Sequence, residues 1–135
     1  MTQEVLEFLD KNVGFLATKG TCGNPRVRPI QSPLFYGGKL YSCTSNKKGL
    51  FKHIQSFPNV ELCAYDNVGT WIRIRAEIVF EDNLAVKEAM FAKYPLVKQI
   101  CQTPQNPEFE VFYFKNPSIK IQSFDGREEV LKESK

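Results

Sequence analysis

Apolar residues recur at helical spacing at the start of the chain, where Val5, Leu6, Phe8 and Leu9 share one face before Asn12 and Gly14 stop the run. This predicts a short amphipathic helix over residues 3–12. Gly14 to Thr18 then reads as a strand, Lys19 to Pro25 as a glycine-rich turn, and Arg26-Val27-Arg28-Pro29-Ile30 alternates with period two. Pro29 cannot donate to a ladder, so this second strand belongs at an edge or a bulge. Gly37-Gly38 marks a hairpin into the strand Lys39–Thr44, and a second helix is expected from about Lys47 to Ser56, with Leu50, Phe51 and Ile54 inward and Pro58-Asn59 closing it.

Val60 to Tyr65 predicts another strand. Trp71 to Phe80 alternates most strictly, with Ile72, Ile74, Ala76, Ile78 and Phe80 on one face and Trp71, Arg73, Arg75 and Glu77 on the other. Asp82 is the expected N-cap of a third helix carrying Leu84, Val86, Ala89, Met90 and Phe91, limited by Pro95. Strands at Phe109–Phe114 and Ile119–Phe124 follow, and Asp125-Gly126 turns the chain into a charged tail. Six or so antiparallel strands with short helices in the connections predict an α+β protein built on a small closed or partly open β-barrel. At 135 residues, 42% of them apolar and 13% aromatic, the chain suits one domain with a real core, over residues 1–135.

Composition narrows the function. Apolar runs are only a few residues long, and Met1-Thr2-Gln3-Glu4 lacks the basic and apolar regions of a signal peptide, so no membrane span is expected and the cytoplasm is the expected compartment. Cys22, Cys43, Cys63 and Cys101 are widely spaced, form no C-x-x-C pair and are accompanied by a single histidine, His53, which argues against a metal site. In the cytosol such cysteines stay reduced and pack as small apolar residues.

The net charge of +3 conceals an asymmetry: residues 11–60 hold eight bases and no acid, and the rest of the chain holds ten bases and fifteen acids. Such a segment calls for compensation, from acidic segments folded against it or from a bound anion, unless it is simply a solvated basic face. Within it, Thr44-Ser45-Asn46-Lys47-Lys48 joins a strand end to a helix start. A helix N-terminus there directs backbone N–H groups at an anion, Thr44 and Ser45 supply hydroxyls, Asn46 can cap, and Lys47 or Lys48 supplies a point charge, with Lys52 one turn beyond. The bland reading is an ordinary capped helix with solvated lysines. Arg26 and Arg28, two apart on a strand, point to one side and either stay in water or meet an anionic ligand. Trp71 beside Arg73 offers a flat surface but equally suits a core or an interface. No Ser, Cys or Asp is arranged around His53 for a triad, and no catalytic residue is assigned.

Taken in order, Gly23-Asn24-Pro25-Arg26-Val27-Arg28-Pro29, Leu40 to Lys48, Pro58 to Leu62, Trp71-Ile72-Arg73, Phe112-Tyr113-Phe114 and Phe124-Asp125-Gly126 resemble the pyridoxamine 5'-phosphate oxidase-like family of FMN-binding split β-barrels. The resemblance covers nearly the whole chain. It implies a six-stranded antiparallel split barrel of Greek-key type with short peripheral helices, which forms a homodimer with FMN in clefts at the subunit interface. On the matching positions it implies that Arg26, Val27, Arg28, Pro29, Ile30 and Gln31 line the isoalloxazine and ribityl side, mostly through backbone groups. Thr44, Ser45, Asn46 and Lys48 would surround the phosphate, with Lys47 and Lys52 as alternates, and Trp71 or Arg73 would reach the flavin of the neighbouring subunit. The chain lacks the family's C-terminal arginine- and histidine-rich substrate motif and ends in Gly126-Arg127-Glu128-Glu129-Val130 and an acidic, lysine-bearing tail. That argues against vitamin B6 oxidation and for similarity to the small flavin reductases and nitroimidazole-reductase-like members.

The expected function is therefore an FMN-dependent oxidoreductase acting on a small molecule. Without a G-x-G-x-x-G fingerprint, a nicotinamide donor would bind only transiently over the flavin. The alternatives are a non-catalytic flavin sensor or store and, ranked lower, a basic barrel for single-stranded nucleic acid. The last needs aromatics interleaved with cations on one strand face, and the Trp71–Phe80 alternation supplies only Trp71.

Overall fold

The computed structural model describes residues 1–30 and 32–132. Helix α1 (Gln3–Lys11) is capped by Thr2, whose hydroxyl accepts from Val5 N–H at 3.3 Å, and it buries Val5 and Leu9. Strands β1 (Gly14–Lys19) and β2 (Pro25–Ile30) pair antiparallel around a tight turn. In that turn Gly20 N–H donates to Asn24 C=O at 2.8 Å, and a side chain on Gly20 would place its Cβ 2.8 Å from the same oxygen, so only glycine fits. β3 (Leu34–Tyr36) and β4 (Lys39–Ser45) form the expected hairpin, with both Gly37 and Gly38 at positive φ. Next come α2 (Gly49–Ser56), β5 (Asn59–Tyr65), β6 (Thr70–Phe80), α3 (Leu84–Lys93), α4 (Pro95–Cys101), β7 (Phe109–Ser123) and β8 (Glu128–Lys132).

Among the described residues the strands form one eight-stranded sheet in the order β2-β1-β5-β6-β7-β4-β3, with β8 paired to β7. Pro29 sits on an edge strand, as its missing N–H requires. The sheet curls round one core, because the inward rows of β1, β4, β5, β6 and β7 all join a single cluster that includes Leu16, Leu62, Ile74, Phe112 and Ile119. Helices α1 and α2 plug this core with Val5, Leu9, Leu50 and Ile54. A second cluster, with Val86, Met90 and Phe91 of α3 against Tyr41, Phe109 and Val111, holds the α3–α4 arm to the outside of β4 and β7. No helix among the described residues is long and apolar enough to cross a membrane.

Four local expectations change. The two last predicted strands are one, since β7 resumes its pairing with β6 at Ser118 after a bulge at Asn116, which takes φ 50° as asparagine tolerates. The charged tail becomes β8, with Leu131 packed on the core and the charges left in water. Asn83, not Asp82, caps α3, its side chain accepting from Val86 N–H at 3.2 Å. Pro95 limits α3, which ends at Lys93, but it also opens an unpredicted helix, α4, where its fixed φ and missing N–H suit a first turn.

Phe112 is fully buried at the centre of the barrel and stacks against Phe80 and Phe114. Phe112→Ala should therefore lower stability by about 3–5 kcal/mol in urea unfolding; a loss under 1 kcal/mol would mean the barrel core lies elsewhere.

Candidate functional site

Three segments far apart in sequence converge on a cavity of about 890 Å³. β2 supplies Arg26 to Ile30, the end of β4 and the start of α2 supply Thr44, Ser45 and Lys48, and α4 closes the third side with Pro95, Leu96, Val97 and Ile100. The size lies within the range of small-molecule and cofactor sites, roughly 300–1,000 Å³. Arg26, Arg28 and Lys48 line the cavity and, among the described residues, no Asp or Glu does. Its potential is therefore positive, and an anion would relieve the mutual repulsion of the cations.

The start of α2 sharpens this. Lys48 occupies the N-cap position, and although Phe51 N–H turns back to Lys48 C=O at 3.2 Å, no side chain caps the helix or covers the positive end of its dipole. Close by in the chain, Thr44 is 9% exposed, faces the cavity and has no hydrogen-bond partner for Oγ1. A buried hydroxyl left unpaired costs roughly 1–3 kcal/mol, which a ligand able to bond it would recover. A phosphate monoester fits this set of donors: an unpaired hydroxyl, helix N–H groups and an ammonium.

Asn46 does not cap α2 as expected. Its amide donates to Pro107 C=O at 2.8 Å and to the Glu110 carboxylate at 3.0 Å, tying the β4–α2 connection to the start of β7. Ser45 Oγ accepts from Lys47 N–H at 3.2 Å, which sets the turn into the helix. Lys47, Asn46 and Lys52 are not among the lining residues, and Gln31 lies outside the described residues.

Arg28 neither stays in water nor waits for an anion. Its guanidinium donates to Leu16 C=O at 3.1 Å, to Thr18 Oγ1 at 2.7 Å and to His53 Nδ1 at 3.2 Å, stitching β2 to β1 and α2 through neutral acceptors. His53 thereby becomes part of the cavity wall. Burial first, and then the charges of Arg28 and Arg26, hold its imidazole below the usual histidine range. Cys43 also lines the cavity, 3.3 Å from Ser32 Oγ, as does Cys101; burial pushes both thiols up, so they stay protonated.

Trp71 and Arg73 stand on the outer face of β6, away from this cavity, where Gln122 Oε1 accepts from Trp71 Nε1 at 3.2 Å and from Arg73 Nη2 at 2.8 Å. Around Trp71 lies an exposed aromatic group: Phe124 stacks on it at 4.9 Å between ring centres, and Tyr65 meets Phe124 at 6.3 Å. Sequence reading missed His53, Cys43 and the whole α4 wall. The α4 signal was present in Leu96, Val97 and Ile100, an apolar stripe that the fold leaves largely exposed, with Leu96 at 62% and Ile100 at 71%.

The crystal structure of a NimC/NimA family protein from Clostridium acetobutylicum matches at a TM-score of 0.85 and 34% identity, over 96% of this chain and 92% of that one. General stress protein 26 from Bacillus anthracis matches at a TM-score of 0.76 and 18% identity, over 96% of this chain and 95% of that one. A pyridoxamine 5'-phosphate oxidase-related, FMN-binding protein from Nostoc punctiforme matches at a TM-score of 0.67 and 14% identity, over 98% and 91%. The last two speak for the fold alone. No family model matches the sequence, and no curated protein does.

Because Thr44 Oγ1 is buried without a partner, Thr44→Val should leave the ligand-free protein at least as stable as its parent in thermal or urea unfolding. A loss above about 1 kcal/mol would show that the hydroxyl is already paired within the fold.

Proposed function

We propose a function from one premise: the chain belongs to the NimC/NimA family, within the pyridoxamine 5'-phosphate oxidase-like split barrels. The chain is read here as an FMN-binding flavoprotein and an oxidoreductase acting on a small molecule. The observation that carries this reading is the cavity itself, lined by Arg26, Arg28 and Lys48 without a carboxylate among the described residues, with the unpaired Thr44 hydroxyl beside an uncapped helix start.

In this reading Thr44, Ser45, Lys48 and the first-turn N–H groups of α2 hold the phosphate, and Arg26 to Ile30 flank the ring and ribityl chain. Lys48 supplies the point charge for the phosphate, and its flexible ammonium can follow a dianion. α4 lines the third side of the site with the apolar side chains of Pro95, Leu96, Val97 and Ile100, against which a flat ring can pack. The half-buried, protonated thiols of Cys43 and Cys101 add no negative charge that would compete with the ligand. Bound FMN would supply reversible electron transfer, which no side chain of the cavity can carry out by itself.

The same reading includes a homodimer. Phe15 on β1, Tyr65 on β5 and Phe124 just past β7 leave exposed aromatic surface beside the half-buried Trp71, and such surface in a small domain marks an interaction site. Trp71 or Arg73 would then meet the FMN of the neighbouring subunit, for which they lie on the wrong side of their own.

An absorbance spectrum of freshly purified protein, followed by heat release and identification of the chromophore, tests the cofactor. A yellow protein that yields FMN is expected; a colourless protein that fails to take up added FMN overturns the reading. Lys48→Ala should weaken FMN by about tenfold or more while leaving riboflavin affinity unchanged, since the loss is of a charged contact to phosphate. Equal losses for both ligands would move the phosphate elsewhere. Sedimentation should show a dimer, and a monomer saturated with FMN would defeat that part of the reading.

A further inference from the structure

His53 has an unusual set of neighbours for a helix residue at a cavity wall. Its Nδ1 faces Arg28 Nη2 at 3.2 Å and the Thr18 hydroxyl at 3.4 Å. A guanidinium can only donate, so Nδ1 must be the acceptor, and a neutral imidazole then carries its proton on Nε2. The opposite edge of the ring, Cε1 and Nε2, is the edge nearest Gly49: a Cβ built there would meet these two atoms at 3.6 and 3.7 Å. The Nε2–H therefore lies beside the first turn of α2, where helix N–H groups, Lys48 and the unpaired Thr44 hydroxyl already surround one cavity.

We propose that His53 is a fourth kind of donor in this anion site, giving its Nε2–H to the phosphate held at the start of α2, and that Arg28 is a positioning residue that fixes the tautomer. The proposal rests on the reading of the cavity as a phosphate-ester site and extends it to a residue whose sequence context carried no functional signal. The charged groups acting on His53 are Arg28 and Arg26 from β2; Lys48 from the N-cap of α2 lines the same cavity, as do Cys43 from β4 and Cys101 from α4, both neutral thiols. With two arginines of β2 beside it and no carboxylate lining the cavity among the described residues, the ring is neutral in the free protein. An anion on its Nε2 side favours the imidazolium, so binding of phosphate must raise the histidine pKa.

The test is direct because His53 is the only histidine in the chain. Imidazole nitrogen NMR of the full-length protein reads its tautomer and its titration without assignment work, first alone and then with inorganic phosphate, riboflavin or FMN. The expected result is an Nε2–H tautomer above the ordinary histidine range, with a pKa that rises on adding phosphate or FMN and stays in place with riboflavin. A free-state Nδ1–H tautomer overturns the proposal, and so does an unmoved pKa in protein that fluorescence shows to be saturated with FMN. An equal rise with riboflavin overturns it too, by removing the phosphate from the contact. If FMN does not bind at all, the cofactor reading falls, and the phosphate titration judges the His53 proposal by itself. Arg28→Met should convert the single tautomer into a mixture, a change that a purely structural role for Arg28 does not predict. Should that variant fail to fold, the parent titration still decides. His53→Phe should weaken FMN by about tenfold, the worth of one hydrogen bond to a charged acceptor, whereas His53→Gln, which keeps an N–H, should restore most of it; equal affinity for both variants and the parent overturns the contact.

Discussion

Everything in this fold hangs on β7. Along one edge Phe112 to Ser123 pair with β6 across a bulge at Asn116 and Pro117; along the other the strand pairs first with β4 and then, past Asn116, with β8. A strand shared in this way cannot belong to a flat sheet, because its two halves must serve neighbours that diverge. The curl encloses the main core, and the β4 half brings Ser45 level with Phe109 and delivers Thr44, the β4–α2 turn and α2 to one end of the barrel. Asn46 secures that delivery by bonding back to Pro107 and Glu110 at the start of β7. The candidate site is thus held by the sheet rather than by a loop, which suits a site that must keep donors fixed on a small anion.

Charge separation along the chain becomes charge separation in space. The acid-free stretch folds into β1 to β4 and α2, and its Arg26, Arg28 and Lys48 face one cavity. The acids from the rest of the chain pair elsewhere: Asp10 with Lys93, Glu81 with Lys39, Glu4 with Arg127, Glu61 with Arg73 and Arg75. Of the alternatives open at the start, acidic segments folded against the basic ones, a bound anion or a solvated basic face, the first is met at Lys39, which pairs with Glu81, and not in the cavity, where no acid is among the described lining residues. Arg28 is the exception that gives the site its form. By spending its donors on Leu16, Thr18 and His53 it becomes structural, and holds a neutral imidazole beside itself in the cavity wall.

Much of this could be read from residues alone because it depends on local periodicity and local chemistry. The strict alternation of Trp71 to Phe80 placed Ile72, Ile74, Ala76 and Ile78 in the core as observed, and Gly37-Gly38 specified the hairpin through the positive φ angles it requires. Arg26, Arg28, Thr44, Ser45 and Lys48 are legible from their residue types and a helix start, and Val27, Pro29 and Ile30 from the family resemblance; the structure brings them together. Other features escaped for equally local reasons. β8 carries three charges in five residues and gains its pairing only from β7. α4 follows a proline that in isolation reads as a stop.

What the sequence by itself determined was the alphabet of the site and the identity of most elements: periodicity decides which face of a strand is apolar, and charge order decides which segment is positive. Only the tertiary structure decided who meets whom. His53 had no partner in sequence; it acquires Arg28 from twenty-five residues earlier and a cavity wall from α4 because the sheet curls and α3 folds the arm back across β4. Local rules could not supply that, since a hydrogen bond between distant residues depends on the register and curvature of strands that lie between them, and those are set by packing the whole core at once.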